Sequence, residues 1–563
     1  MSDEAQRAKD LLRTLAHKGF KRDRSETKAY RYTGGLKAAG RDVSVSITFP
    51  DLEFTRLPEL ILLNPEQEAP HVVAHLTASG GFCFARNEDL ILDRYDVGGT
   101  ALMCLELARR GLERALTHKH LEQEIAQEFP QHWLGMPFYY DIAATDHIHA
   151  TLYYVPRNRE PNLVLLTDRV DVLKRLVSDE AARRNVIASS RPAFVFCSNT
   201  DLTFGRDHRQ PLTLAAFIAW LESVLPNTGK RAITELAGRF PDHLVSLFVN
   251  APNGCVGILV DASLPILRGA QRQQGLERIA MANAATIGVQ RYSGTRVDLP
   301  FIFRRNLNSH PPLTDKRIAL VGCGTIGSHL AKFLVQSGAG HDDGTLLLLD
   351  NQTLEPGNVG RHYLGTTSIG DSKPGALKAE ILRQFPETNI LPMTADAVGF
   401  LETLAGYDLI VDATGEEALS MTINHHFVAH RYDHETAPDV LHVRLFGNGA
   451  AAQALLVDGP NFACFKCLKP DHSGNWRFSP LKSGVSAAQM VAACGEGQYI
   501  AYGVAAPVMA AALALQLILD WKNGTPTPRM RTIRIEKKDT QEVADKNPDR
   551  SPRCPVCGNH QAE

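Results

Sequence analysis

The most constraining stretch of this 563-residue chain is 317–330, Arg-Ile-Ala-Leu-Val-Gly-Cys-Gly-Thr-Ile-Gly-Ser-His-Leu. An apolar run of strand length enters a loop with glycines at 322, 324 and 327, then continues into a helical pattern. This order marks a doubly wound, largely parallel α/β sheet, because the glycines let the backbone approach a phosphate at a helix N-terminus. A second apolar run, 346–349, ends in Asp350, where a carboxylate can accept hydrogen bonds from ribose hydroxyls. A third, 409–411, ends in Asp412. A glycine loop and an acid suit NAD as well as ATP. Asn358, Arg361 and Lys373 shift the balance. A dehydrogenase has no stated need of an Arg and a Lys here, whereas an enzyme that cleaves ATP between its α- and β-phosphates must neutralise developing charge. Residues 301–563 are therefore expected to form a Rossmann-like adenylation domain.

The cysteines extend this reading. Cys464/Cys467 and Cys554/Cys557 form two Cys-x-x-Cys pairs. Together they can offer four thiolates to a tetrahedral zinc ion and clip the C-terminal tail onto the nucleotide domain. A redox role is the alternative, but neither pair opens a thioredoxin-like βαβ unit. Cys494 lies between the pairs in Val-Ala-Ala-Cys-Gly-Glu-Gly. A glycine-flanked loop thiol is placed to attack an acyl-adenylate. Ten cysteines without a secretion signal point to a reducing, cytoplasmic setting. Sixty Lys+Arg against 62 Asp+Glu exclude bulk attraction to nucleic acid or an anionic membrane. The apolar stretch 501–521 is Ala-rich and contains Pro507 and Gln516, so a buried helix is expected rather than a membrane span.

Upstream, residues 1–150 read as an α+β domain. A helix is expected over 3–18, strands at 43–49, 60–63 and 72–76, a Gly80-Gly81 turn before Phe82-Cys83, and a helix over 100–115. Residues 151–300 read as a mixed α/β connector, with strands at 163–166, 193–197, 244–249 and 256–260 and a helix at 212–225. Its Cys197 and Cys255 sit in apolar runs as buried structural thiols, and no catalytic constellation stands out. The charged tail 537–553 is expected to be a loop.

The pattern Gly322-x-Gly324-x-x-Gly327, Asp350, Asn358-x-x-Arg361, Lys373 and Asp412 resembles the ThiF-type adenylating superfamily, which includes ubiquitin-activating enzymes. The resemblance covers roughly 300–560. It implies adenylation of a protein's C-terminal carboxylate with ATP and Mg2+, and a thioester on a Cys after the first zinc pair, here Cys494. That family usually has a magnesium-serving Asp three residues after the strand-end Asp. Gly415 stands at that position, which leaves Asp412, then Glu416, as the magnesium candidates. Residues 1–120, with Phe49-Pro50, Pro58, His75 and Cys83, resemble a ubiquitin-conjugating domain. That resemblance implies Cys83 as a second thioester carrier. His75-Leu76-Thr77 replaces the family's His-Pro-Asn, so Thr77 or backbone N–H groups would have to steady the oxyanion. His75 is read as a structural histidine and Cys104 as a core thiol.

The order of the three segments resembles a bacterial fusion of conjugating and activating enzymes found in type II CBASS antiphage operons. The resemblance implies that the substrate is the C-terminus of a cGAS/DncV-like nucleotidyltransferase and that the acceptor is a lysine or other amine. It also implies a JAB-type peptidase as pathway partner. Related activating domains dimerise, and Arg304 or Arg305 of a neighbouring copy is a candidate to enter the site. The expected function is ubiquitin-like ligation: adenylation, capture on Cys494, transfer to Cys83, then transfer to an amine. Two rivals stand beside it. An adenylyltransferase for sulfur-carrier proteins leaves the Cys83 domain unexplained. A non-catalytic nucleotide-binding scaffold would show no ATP–pyrophosphate exchange.

Overall fold

A computed structural model describes residues 3–558 except 27–28, 70–71, 78, 86–89, 91, 118–121, 158–159, 205–209, 239–243, 262–272, 434–436, 471–475, 487–488 and 492–497. The chain divides into two compact units, Met1–Val172 with Asp179–Val297, and Leu173–Ser178 with Asp298–Glu563.

The first unit opens with the helix Asp3–His17, whose Leu11 and Leu15 are buried. An antiparallel sheet follows, with strands Lys21–Arg22, Tyr30–Ala38, Arg41–Phe49, Glu59–Leu62 and Gly81–Phe82 in that spatial order. Its long hairpin turns through Ala39 and Gly40, both left-handed at φ 53 and 75, which suits the twist of the strands. The helix Val97–Thr117 adds Ala101, Cys104, Ala108 and Leu112 to a core shared with Val43, Val45 and Ile47. Residues 72–76, expected as a strand, form a turn instead, in which only Leu76 bridges Phe82. Their apolarity has a different cause. Val72 packs on the core of the barrel described next, while Ala74 and Leu76 belong to the helix–sheet core.

Seven further strands close into a barrel in the order Leu244–Ala251, Gly254–Asp261, Gln290–Arg296, Met136–Asp141, Glu160–Thr167, Ile148–Arg157 and Arg191–Cys197. Phe138, Tyr140, Leu152, Val195, Phe248 and Tyr292 form a cluster contributed from around the barrel. Glycines make room for it: a Cβ at Gly257 would lie 2.3 Å from the Phe248 ring. Phe194, Phe196, Leu247 and Ile258 pack in a separate core with the helices Leu214–Val224 and Gly229–Gly238. Burial pushes the Cys197 thiol up to about 11 and Cys255 well above its ordinary range, as suits structural thiols. The boundary at 150 falls inside the strand Ile148–Arg157, and Met136–Asp141 already belongs to the barrel. Pairing partners far along the chain define that edge, and no linker composition marks it.

The second unit is built on a seven-stranded sheet ordered Ile390–Met393, Thr345–Leu349, Arg317–Val321, Leu409–Asp412, Asp439–Phe446, Ala451–Val457 and Met530–Arg534. The first five strands are parallel, Ala451–Val457 runs against them, and Met530–Arg534 pairs antiparallel with Ala451–Val457. Side-chain alternation puts Ile318 and Leu320 in one core and Ala319 and Val321 in the other, so the central strand is buried on both faces. The helices Thr325–Gln336 and Ala505–Lys522 share the first core. Ala505–Lys522 is long and apolar enough to cross a membrane by length and composition, yet Ala510, Ala511, Ala514, Leu517 and Ile518 are buried in that core. The tail 537–553 contains no helix or strand and is fastened by bridges Leu481↔Thr540, Met530↔Lys546 and Phe462↔Asp549.

Candidate active site

The chain order reverses between the strands Arg317–Val321 and Leu409–Asp412, and a crevice opens at their carboxyl ends. This cleft of about 390 Å³ is lined by Gly322, Gly324, Asp350, Gln352, Asp396, Thr414 and Glu416 among others. The three glycines have distinct reasons to be there. Gly322 is left-handed at φ 88, and a Cβ on it would lie 2.8 Å from Thr414 N. A Cβ on Gly327 would lie 1.8 Å from Gly322 O, so this glycine lets the helix dock on the loop. Gly324 caps the helix Thr325–Gln336 and has nothing within 4 Å of a built Cβ. Here the backbone is open to an anion at a helix N-terminus. Asp350 accepts from Cys323 N at 2.7 Å and from Gln352 N at 2.8 Å, which orders the loop as well as lining the cleft.

Lys373, Asn358 and Arg361 are not among the residues that line the cleft, and each is engaged differently. Lys373 is buried, and its Nζ donates to Gln352 Oε1 at 2.6 Å, one side chain behind the cleft wall. Asn358 Oδ1 accepts from Glu355 N at 3.2 Å and caps a short helix. Arg361 Nη1 donates to Ile500 O at 2.9 Å, while its Nε is buried with no hydrogen-bond partner. A buried guanidinium N–H left unpaired keeps its capacity to donate.

Asp412 does not fit the expected magnesium role. It is almost fully buried and absent from the cleft lining. Its Oδ2 meets His442 Nδ1 at 2.8 Å and Ser420 Oγ at 2.5 Å, and its Oδ1 accepts from Thr414 Oγ1 at 2.7 Å and Thr414 N at 3.2 Å. Burial pushes the carboxyl up, but the bonds to His442, Ser420 and Thr414 outweigh it and hold the group below its ordinary value. A carboxylate has about four acceptor sites, and these contacts occupy them. Asp350, Asp396 and Glu416 are the carboxylates that line the cleft.

The sequence reading missed His362. Its Nδ1 accepts from Leu364 N at 3.0 Å, which leaves Nε2 to donate to Cys323 O at 2.8 Å inside the glycine loop. Burial is the main cause that pushes this imidazole down to about 4 from an ordinary 6.5. A histidine held neutral in the fold binds fewer protons folded than unfolded between those values. Its contribution is full above pH 6.5 and is lost as pH falls toward 4, by up to roughly 3 kcal/mol. The melting temperature is expected to drop across that window, and His362→Gln is expected to flatten the slope.

The four zinc-candidate thiols come together as expected from spacing. Cys464, Cys467, Cys554 and Cys557 are buried, and all their sulfurs lie within 4.8 Å of one another. Cys464–Cys467, Cys464–Cys554 and Cys467–Cys557 are separated by 3.9, 3.7 and 3.3 Å. Sulfurs about 2.3 Å from a shared tetrahedral zinc would lie about 3.8 Å apart, so the cluster can hold that ion. Ser551 N donates to Cys467 Sγ at 3.4 Å, and Asn424 Oδ1 holds Phe465 N at 2.8 Å.

In the first unit, Cys83 is the exposed cysteine among the described residues. It follows the short strand Gly81–Phe82 and lines a cleft of about 360 Å³ with His75, Arg114, Glu124 and Glu128. His75 is left-handed at φ 64, and its N–H donates to Glu128 Oε2 at 2.9 Å. Its ring nitrogens face Glu128 at 2.6 Å and Glu124 at 3.2 Å. His75 in turn accepts Cys83 N on its carbonyl at 2.8 Å, so it braces the backbone beside the thiol. Thr77 Oγ1 accepts from Gly81 N at 2.9 Å and lines a different cleft. Cys104 is buried in the helix core, and burial pushes its thiol up to about 11. Cys494 lies outside the described residues.

These two sites fall in two recognisable domains. Residues 5–136 match the prokaryotic E2 family B, and residues 305–556 match the ThiF family. The chain is a fusion of a ubiquitin-conjugating-like domain and a ThiF-type, ubiquitin-activating-like domain, an enzyme of the ligase and transferase class. It is 29% identical over 522 residues to the ATP-dependent ubiquitin transferase-like protein Cap2 of Pseudomonas aeruginosa, across 90% of this chain and 91% of that one. A protein of the same name from Escherichia coli is 22% identical across 94% of each chain. The sulfur carrier protein ThiS adenylyltransferase of Escherichia coli is 25% identical over 46% of this chain and 92% of its own length.

Proposed function

We propose that this chain activates the C-terminal carboxylate of a partner protein with ATP and carries it through two thioesters to an amine. The observation that carries the reading is an exposed thiol, Cys83, in a conjugating-like domain of the same chain that holds a phosphate-shaped glycine crevice. The carboxylate attacks the α-phosphate over Gly322–Gly327, and pyrophosphate leaves. Arg361 and Lys373 neutralise the triphosphate, Asp350 takes the ribose, and Asn358 holds the segment that carries Arg361. Asp350, Asp396 and Glu416 are the side chains available to a magnesium ion, which would offset phosphate charge. Cys494 displaces AMP to form the first thioester. Exchange to Cys83 is close to energy-neutral, so the domains need only bring the sulfurs together. A lysine or other amine then attacks the Cys83 thioester. A zinc ion held by Cys464, Cys467, Cys554 and Cys557 would anchor the tail.

By its likeness to the Cap2 proteins, we place the enzyme in type II CBASS antiphage defence. A cGAS/DncV-like nucleotidyltransferase would provide the C-terminus, and a JAB-type peptidase would reverse the conjugation. Arg304 and Arg305 are exposed at the end of the helix Leu299–Asn306, where a second copy in a homodimer could use them. The test is intact-protein mass spectrometry of the nucleotidyltransferase mixed with enzyme and Mg-ATP under non-reducing conditions. A covalent adduct lost on adding a thiol supports the relay. Pyrophosphate release without such an adduct favours the second reading, a sulfur-carrier-type adenylyltransferase, which the match to the ThiS enzyme raises.

A further inference from the structure

We propose that His442 is a positioning residue that, through Asp412, holds Glu416 in the crevice as the carboxylate that meets the magnesium ion of the bound nucleotide. The proposal rests on the reading of the crevice as an ATP site given above. Asp350, Asp396 and Glu416 line the crevice, and the first two already accept backbone N–H groups. Asp350 takes Cys323 N on one oxygen and Gln352 N on the other, and Asp396 Oδ1 accepts from Val398 N at 2.9 Å. The Glu416 side chain is exposed and accepts no hydrogen bond among the described residues. Its main chain is fixed instead. Glu416 N donates to Thr414 Oγ1 at 3.2 Å, and Glu416 O accepts from Ser420 N at 2.9 Å. Gly415, left-handed at φ 68, turns the chain between Thr414 and Glu416.

Both holders of Glu416 are themselves held by Asp412. That carboxylate accepts the Thr414 N–H and O–H on Oδ1 and the Ser420 O–H on Oδ2. Asp412 is held in turn by His442, its partner across the parallel strands Leu409–Asp412 and Asp439–Phe446. His442 Nδ1 lies 2.8 Å from Asp412 Oδ2, and an ionised carboxylate only accepts, so Nδ1 carries the proton. His442 Nε2 is buried with no hydrogen-bond partner among the described residues, and the ring packs on Phe465 at 4.5 Å between centres. An unpaired buried nitrogen costs stability, so a plain apolar side chain would suit this core better unless the bond to Asp412 matters. The turn is also pressed against the glycine loop. Ala413 N donates to Val321 O at 2.8 Å, and a Cβ on Gly322 would lie 2.8 Å from Thr414 N. Glu416 is thus placed through its backbone and not through its own oxygens. Both oxygens stay open to a hard cation, which prefers oxygen ligands.

The test is isothermal titration calorimetry of the full-length chain with α,β-methylene-ATP, once in Mg2+ and once in EDTA. In the wild type Mg2+ is expected to tighten binding at least about tenfold. Glu416→Gln and His442→Leu are each expected to lose at least about tenfold in Mg2+, with affinity in EDTA within about threefold of wild type. The double variant is expected to fall no more than about threefold below Glu416→Gln alone, because both changes remove one function. His442→Asn offers an amide N–H where Nδ1 stood and is expected to bind within about threefold of wild type in Mg2+. Thr414→Val cuts the same chain of bonds at a half-buried position and is expected to lose the Mg2+ enhancement, whether or not His442→Leu folds. Equal losses in Mg2+ and EDTA for His442→Leu make the histidine a support of the fold alone and overturn the proposal. An undiminished Mg2+ enhancement in Glu416→Gln or Thr414→Val overturns it, as do losses that multiply in the double variant or a wild type indifferent to Mg2+. If the wild type binds the analogue in neither condition, the crevice reading itself falls.

Discussion

Cys83→Ala is expected to abolish conjugation to amines, by more than about a hundredfold, while ATP–pyrophosphate exchange proceeds at the wild-type rate. The reason is spatial separation of tasks. Exchange needs only the glycine crevice and its cations, all in the second unit, whereas Cys83 belongs to the first. Its exposure and its place in a cleft fit a carrier of acyl groups, while Cys104, Cys197 and Cys255 are buried. Under non-reducing conditions Cys83→Ala should accumulate an adduct at Cys494. Cys494→Ala should keep exchange and form no adduct at all. Intact mass spectrometry after a single turnover reads all three species. Loss of exchange in Cys83→Ala, or normal conjugation by it, would remove Cys83 from the relay.

The second large effect is expected at the thiol cluster. Structural zinc in small zinc-finger peptides contributes about 10–16 kcal/mol to folding. Part of that stabilisation must be at stake here, because the four sulfurs join the start of the segment after Ala451–Val457 to a tail nearly a hundred residues later. Val428, Leu455, Phe465 and Met530 pack around them in the same core. A loss of only about 3 kcal/mol lowers the melting temperature of a domain this size by about 6–12 °C. Cys557→Ser is expected to show that drop together with loss of bound zinc by elemental analysis. A protein that retains its melting temperature with the metal stripped would show that the cluster does not support the fold.

The features read correctly from sequence share a property: their geometry is local or their ligand chemistry is explicit. The strand, glycine loop and helix at 317–330 are one continuous turn of chain, and Gly322 and Gly327 meet atoms that the motif itself brings near. The Cys-x-x-Cys pairs announce their partners by chemistry, even across 90 residues. What stayed hidden depends on contacts without a spacing rule. His362 meets Cys323 across 39 residues, and Arg361 meets Ile500 across 139. Asp412 looked available because its strand-end position was visible, whereas His442 and Ser420, which occupy it, were not. The barrel escaped because its order depends on non-local pairing, including parallel partners such as Met136–Asp141 and Gln290–Arg296. The turn at 72–76 was mistaken for a strand because residues shared between two cores are apolar without alternating.

The brace around His75 has a consequence for how this enzyme can be cut apart. Glu124 and Glu128, which grip the ring, come from the helical stretch after Val97–Thr117, and Phe129 and Trp133 just beyond it are embedded in the barrel core. A conjugating module trimmed at the end of its own long helix would keep the thiol and lose the grip on the turn beside it. The piece that keeps both the thiol and the grip is therefore the whole of the first unit. The connector is less a spacer between two catalysts than the foundation on which the first of them stands.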